Sequence, residues 1–130
     1  MTSILIVEDD PLLLQTLSNM LRHEGFEVIL AESLDSAEKQ LRDGCSIDLI
    51  LLDIWLEGRP SFQIIDLAAK THSSTPVVVM SGGGGSMSIE VASSVAQMKG
   101  ISSFIQKPIE RQALVNHVRQ SLLSASKDAD

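Results

Sequence analysis

Carboxylates, a hydroxyl and a lysine stand at the ends of short apolar runs in this chain. Asp48-Leu49-Ile50-Leu51-Leu52-Asp53 sets four apolar residues between two carboxylates, and Ser3-Ile4-Leu5-Ile6-Val7 leads straight into Glu8-Asp9-Asp10. Pro76-Val77-Val78-Val79-Met80 ends on Ser81-Gly82, and Ser103-Phe104-Ile105-Gln106 ends on Lys107-Pro108. Carboxylates gathered at one place repel one another. They are tolerated where a hard divalent cation neutralises them, and Mg²⁺ favours one or two carboxylates with waters and phosphate oxygens. A lysine and a hydroxyl beside them suit a phosphoryl group, because cation and ammonium offset the charge that builds during transfer. One carboxylate could then act as nucleophile and form an acyl phosphate. By position that is Asp53, alone at its strand end, while the pair Glu8 and Asp9 would hold the metal.

The elements that must bring these residues together follow from the pattern. An apolar run this short, bounded by polar groups and a turn, predicts a strand buried on both faces. Strands are predicted at residues 3–7, 26–31, 48–53, 77–81 and 102–106. Asp10-Pro11 predicts a helix start with Asp as N-cap and Pro at the first helical position. Leu14, Leu17 and Leu21 continue it at helical spacing, and Gly25 ends it. Further helices are predicted over residues 33–43, with Leu34, Ala37 and Leu41 on one face; over 61–71, capped by Ser61; over 86–99; and over 110–124. Gly58-Arg59-Pro60 reads as a turn, and residues 82–85 are a glycine run. Five β-α repeats predict a parallel sheet with helices on both faces and right-handed crossovers. Such a sheet carries its ligands at the carboxyl edge of the strands. Glu8, Asp9, Asp53, Ser81 and Lys107 all lie at that edge.

The 130 residues predict one domain with a real core, residues 1–124, followed by a polar tail over 125–130 that could begin a linker. No apolar run is long enough to span a bilayer and no secretory pattern is present, so the expected location is cytoplasmic, without a membrane partner. A formal net charge of −7 argues against direct nucleic-acid binding. Cys45 is the one cysteine and is expected to be a loop or core thiol. The three histidines lack metal-ligand spacing. The glycine run lacks the Gly-Lys-Ser/Thr of a P-loop and reads equally as a plain linker or as a phosphate-sensing loop.

Four stretches in order, Ile6-Val7-Glu8-Asp9-Asp10, Asp48 to Asp53, Pro76 to Gly82 and Phe104-Ile105-Gln106-Lys107-Pro108, resemble the receiver domain of two-component response regulators. The resemblance covers nearly the whole chain. It implies the flavodoxin-like (βα)₅ doubly wound fold, strand order 2-1-3-4-5. It implies that Asp53 accepts a phosphoryl group from the phosphohistidine of a sensor histidine kinase or phosphotransfer protein. Asp9, Asp53 and the backbone carbonyl of Trp55 would bind Mg²⁺, with Glu8 acting through a water. Ser81, the Gly82 N–H and Lys107 would hold the phosphoryl group, and the Lys107-Pro108 bond would be cis. Ser81 and Phe104 would be the switch positions, and the fourth helix, fifth strand and fifth helix would form the recognition surface. A dimer would use the last helix and its neighbours. The downstream target would be a separate protein or an output domain outside this sequence. The sequence departs from the family where Glu57 replaces a usual proline and Ser61 a usual glycine, and the segment from Ser81 to Lys107 is a few residues longer than is common. Phe104 lacks the hydroxyl of the commoner tyrosine, so its switching would be steric.

Two rivals stand beside this reading. One is a receiver fold kept only as an interaction module, against which the set Glu8, Asp9, Asp53 and Lys107 argues. The other is a Mg²⁺-dependent Asp-x-Asp phosphatase, but the position two after Asp53 is Trp55, which is no acid or base. On either surviving reading the chain is a signalling domain that at most assists its own phosphotransfer and dephosphorylation.

Overall fold

The structure of the chain, a computed structural model, describes residues 1–82 and 100–128. The glycine run beyond Gly82 and the helix predicted over 86–99 lie outside the described residues. The elements run β1 (Ser3–Val7), α1 (Pro11–His23), β2 (Glu27–Ala31), α2 (Leu34–Arg42), β3 (Leu49–Asp53), β4 (Trp55–Leu56), β5 (Arg59–Pro60), α3 (Phe62–Thr71), β6 (Val77–Ser81), β7 (Ile101–Gln106) and α4 (Arg111–Asp128). β1, β2, β3, β6 and β7 form one parallel sheet in the order β2-β1-β3-β6-β7. Counting only these five strands, that is the predicted order 2-1-3-4-5.

The sheet is the core because its central strands carry apolar side chains on both faces. Successive residues of a strand point to opposite sides. Leu5, Val7, Ile50, Leu52, Val77 and Val79 therefore meet Leu34, Ala37 and Leu41 of α2 and Ile64, Ile65 and Ala68 of α3. Ile4, Ile6, Leu49, Leu51, Val78 and Met80 meet Leu14, Leu17 and Leu21 of α1 and Leu114 and Val118 of α4. β1 and β3 are the most completely enclosed, with Ile4 to Val7 and Leu49 to Leu52 without solvent contact. Burying each such side chain contributes on the order of 1.5–3 kcal/mol.

Register sets the edge. Val7 lies opposite Leu52, Asp53 opposite Met80, and Ser81 opposite Gln106. Glu8, which follows β1, thus comes level with Asp53, and Lys107, which follows β7, falls one residue beyond Ser81, level with Gly82. The helix starts hold this edge in place. The Asp10 carboxylate accepts from the Leu12 N–H at 3.0 Å, ahead of Pro11. The Ser33 hydroxyl accepts from the Ser36 N–H at 3.1 Å. α1 ends before Gly25, whose φ of 94° is one that glycine takes without a Cβ clash.

Four local expectations change. The turn predicted at Gly58 to Pro60 is part of a small hairpin, β4 against β5, with Glu57 and Gly58 at its tip in the left-handed region (φ 53° and 77°). Two tip residues with positive φ match the right-handed twist of the flanking strands. Ser61 stands at the start of α3 but its hydroxyl caps nothing; it donates to the Asp53 carbonyl oxygen at 2.7 Å. α4 runs to Asp128 rather than ending near residue 124, because Ser124-Ala125-Ser126-Lys127-Asp128 contains no glycine or proline to stop it. β2, β3 and β7 each shift their start by one residue, to Glu27, Leu49 and Ile101. Among the described residues, no helix is long and apolar enough to cross a membrane.

Candidate functional site

Glu8, Asp9 and Asp53 meet at the carboxyl edge of β1 and β3. One carboxylate oxygen from each lies within 4.8 Å of the others. Glu8 is 1% exposed and Asp53 4%, while Asp9 faces solvent. Lys107, the residue after β7, reaches across the edge. Its Nζ donates to Glu8 Oε1 at 2.7 Å and to Asp53 Oδ2 at 2.8 Å. The bond between Lys107 and Pro108 is cis, and the Lys107 N–H donates to the Ser81 carbonyl at 2.8 Å.

Backbone amides take up one oxygen of each carboxylate. Asp53 Oδ1 accepts from the Trp55 N–H at 2.9 Å, Glu8 Oε2 from the Asp10 N–H at 3.1 Å, and Asp9 Oδ2 from the Glu57 N–H at 3.1 Å. Asp53 and Glu8 are thus each aimed by the amide two residues further along the chain, and Asp9 by an amide 48 residues away. The set is hard, all-oxygen and carries three acidic groups against one ammonium, which is the donor chemistry that suits Mg²⁺.

The electrostatics follow from burial. Glu8 is pushed up to about 7, first by loss of water and then by the charge of Asp53; the Lys107 ammonium and the Asp10 N–H pull it back only in part. For Lys107, burial works against the charged form, but the hydrogen bonds to Asp53 and Glu8, with the charge of both, win and raise its pKa. The site therefore holds Lys107 firmly as an ammonium and holds the Glu8 proton loosely near neutral pH.

Of the residues singled out in the sequence, Glu8, Asp9, Asp53 and Lys107 come together. Ser81 ends β6 and Gly82 follows it, both half-buried beside the same edge. Trp55 contributes its N–H to Asp53 and is half-buried. Phe104 lies on β7 opposite Val79 and packs, partly buried, on the face covered by α2 and α3. Two residues join the site that no chemical motif marked. Glu57 supplies the amide to Asp9, and Ser61 ties the Asp53 carbonyl to the start of α3. Gly58 marked a turn, but Glu57-Gly58 is not one of the Asn-Gly or Asp-Gly pairs that mark a hairpin tip.

Comparison with known proteins agrees with this geometry. The family model described as response regulator receiver domain matches residues 4–119. The nitrogen assimilation regulatory protein NtrX of Azorhizobium caulinodans is 36% identical over 115 residues, covering 86% of this chain and 24% of the relative. The transcriptional regulatory protein CpxR of Escherichia coli is 32% identical over 122 residues, covering 94% of this chain and 50% of the relative. The chain thus spans between a quarter and a half of the length of these relatives. Among solved structures, NtrX from Brucella abortus in complex with ATP superposes with a TM-score of 0.86 at 31% identity, over 98% of this chain and 28% of that one. A CheY-like receiver domain from Methanospirillum hungatei superposes with a TM-score of 0.88 at 23% identity, over 98% of both chains, and shares the fold. Fold, edge constellation and family match coincide over nearly the full length: the chain belongs to the response regulator receiver domain family.

Proposed function

We propose that the chain is a phosphoacceptor of a two-component phosphorelay, with Asp53 as the accepting residue. The observation that carries this is the single lysine held at 2.7 and 2.8 Å between two buried carboxylates, in a group of three. Such a site has an ammonium ready for a new anion and an excess of acid for a divalent cation. Asp9 and Asp53, with the Trp55 carbonyl, would hold Mg²⁺ directly, and Glu8 through a water. Bound there, the cation would neutralise phosphoryl oxygens and the carboxylates at once.

The step itself needs little beyond alignment. One Asp53 oxygen attacks phosphorus, the P–N bond to the donor imidazole breaks, and the imidazole leaves with a proton. Lys107 exchanges the Asp53 carboxylate for a phosphoryl oxygen, and the Ser81 hydroxyl and the Gly82 N–H take the others. The donor is a phosphohistidine on a sensor histidine kinase or a phosphotransfer protein. The readout is a changed partner surface that includes β7, with Phe104, and α4. The target is a separate protein or a further domain, as in relatives longer than this chain.

The test is phosphorylation by a small phosphodonor with Mg²⁺, followed by mass spectrometry of the intact chain and its peptides. One added phosphoryl group on the peptide holding Asp53, absent in Asp53→Asn and without Mg²⁺, is the expected result. A folded wild-type chain that takes up none would leave the reading as an interaction module.

A further inference from the structure

Glu57 lies at the hairpin tip, outside the three-carboxylate group, yet it contacts that group and a helix at once. Its N–H donates to Asp9 Oδ2 at 3.1 Å, and its own carboxylate Oε2 accepts from the Leu34 N–H at 3.1 Å. Leu34 opens α2, where amides have no partner within the helix and the dipole favours negative charge. Asp9 is the exposed member of the three carboxylates, and Lys107 bonds the other two. Among the described residues, the hydrogen bond that orients the Asp9 side chain is the one from Glu57.

That amide points at Asp9 because residue 57 takes a φ of 53°. A side chain disfavours this region, and glycine or asparagine would be the ordinary occupant. Glutamate is retained in it by an anchor of its own, the bond to α2. From this we infer that Glu57 is a positioning residue for the cation site. Its carboxylate, fixed on the first turn of α2, holds the turn that aims its amide, and the amide aims Asp9 at Glu8 and Asp53. Cation affinity then depends on a side chain that never touches the cation. The inference rests on the Mg²⁺ reading given above.

The measurement is the Mg²⁺ dissociation constant of the full chain by calorimetry, in wild type, Glu57→Gln, Glu57→Ala and Glu57→Gly. Partners that orient metal ligands are worth about 10–100-fold in affinity, and one exposed ligand of the set puts Glu57→Ala near the lower end, about tenfold weaker. Glutamine keeps an acceptor for the Leu34 N–H, so Glu57→Gln should stay within about twofold of wild type. Glycine suits the left-handed φ and keeps the N–H, so Glu57→Gly folds even where the alanine variant does not; it keeps the φ but loses the anchor, so its affinity should fall below wild type and lie between wild type and Glu57→Ala. Melting in EDTA confirms that each variant is folded. Wild-type affinity in both Glu57→Ala and Glu57→Gly overturns the inference. So does a Glu57→Gln as weak as the others, because the effect would then be the lost charge and not the anchor. A wild-type chain that binds no Mg²⁺ overturns the inference together with the reading beneath it.

Discussion

Glu8 should make the metal-free protein lose stability as pH rises from mildly acidic to neutral. Its carboxyl is pushed from 4.5 to about 7, mainly by burial. The folded state therefore holds a proton that the unfolded chain has released. Between about pH 4.5 and 7 the native state binds more protons, so stability is full below about pH 4.5, falls across that window and levels off above about 7. At about 1.4 kcal/mol per pH unit the loss is about 3 kcal/mol at most. For a chain of this size, with roughly 4 °C per kcal/mol, that is about 10 °C in Tm.

The background stability of any chain also varies with pH, so the measurement is a difference. Thermal unfolding in EDTA should be followed for wild type and Glu8→Gln across this range. Glutamine cannot ionise, and its amide can accept from only one of the two donors that Glu8 now serves, Lys107 and the Asp10 N–H. That lowers Glu8→Gln by about 1 kcal/mol at every pH, without changing the slope. Wild type should start above the variant near pH 5 and fall toward or below it by pH 8.5. Saturating Mg²⁺ should flatten the wild-type curve, since a cation beside Glu8 favours its ionised form. Parallel curves for the two proteins in EDTA would refute the placement of a buried, reluctantly ionised Glu8.

Lys107→Met in EDTA at pH 8 should destabilise by about 2–4 kcal/mol, because it strands two buried carboxylates; Mg²⁺ should recover much of the loss, and a Tm unchanged in EDTA would count against the bridge. Trp55 donates to Asp53 at 2.9 Å, so millimolar Mg²⁺ should change its emission, and Asp9→Ala should abolish the response at the same concentration; an unchanged wild-type spectrum with binding seen by calorimetry would contradict this placement. Leu51→Ala opens a void at the middle of β3 and should cost about 2–5 kcal/mol by urea unfolding, yet the folded fraction should still take phosphate on Asp53.

The sheet and its working edge were legible because both rest on patterns that repeat. Each central strand is an apolar run with a polar stop, and a parallel sheet places the stops together. The pairs Val7 with Leu52 and Asp53 with Met80 express that rule at atomic level. Asp10-Pro11 and Ser33 were readable as helix starts because capping is local chemistry within three residues. The hairpin over residues 55–60 was not readable, since two-residue strands show no alternation. Ser61 misled for a related reason. A serine before a helix is a cap by preference, but here a buried carbonyl of Asp53, eight residues earlier, competes for the same hydroxyl and wins. Glu57 is the strongest case. Its type suggests a solvated turn, and only the folded chain brings Asp9 and Leu34 to its two ends.

Charge counting joins these pieces. With all groups ionised, three carboxylates and one ammonium leave the edge two charges negative. Water offsets Asp9, which is exposed, but not Glu8 or Asp53. The chain's own remedies are Lys107, shared between the two buried acids, and the proton that Glu8 keeps up to about pH 7. A divalent cation would remove the whole excess and release that proton. Turning the Asp53 carboxylate into an acyl phosphate adds negative charge to the same place, and Lys107 alone has already been divided between two partners. On the proposed reading, the cation must therefore be present before the phosphoryl group arrives. Glu8, whose pKa is raised first by burial and further by the Asp53 charge, keeps its proton at a site left short of positive charge until then.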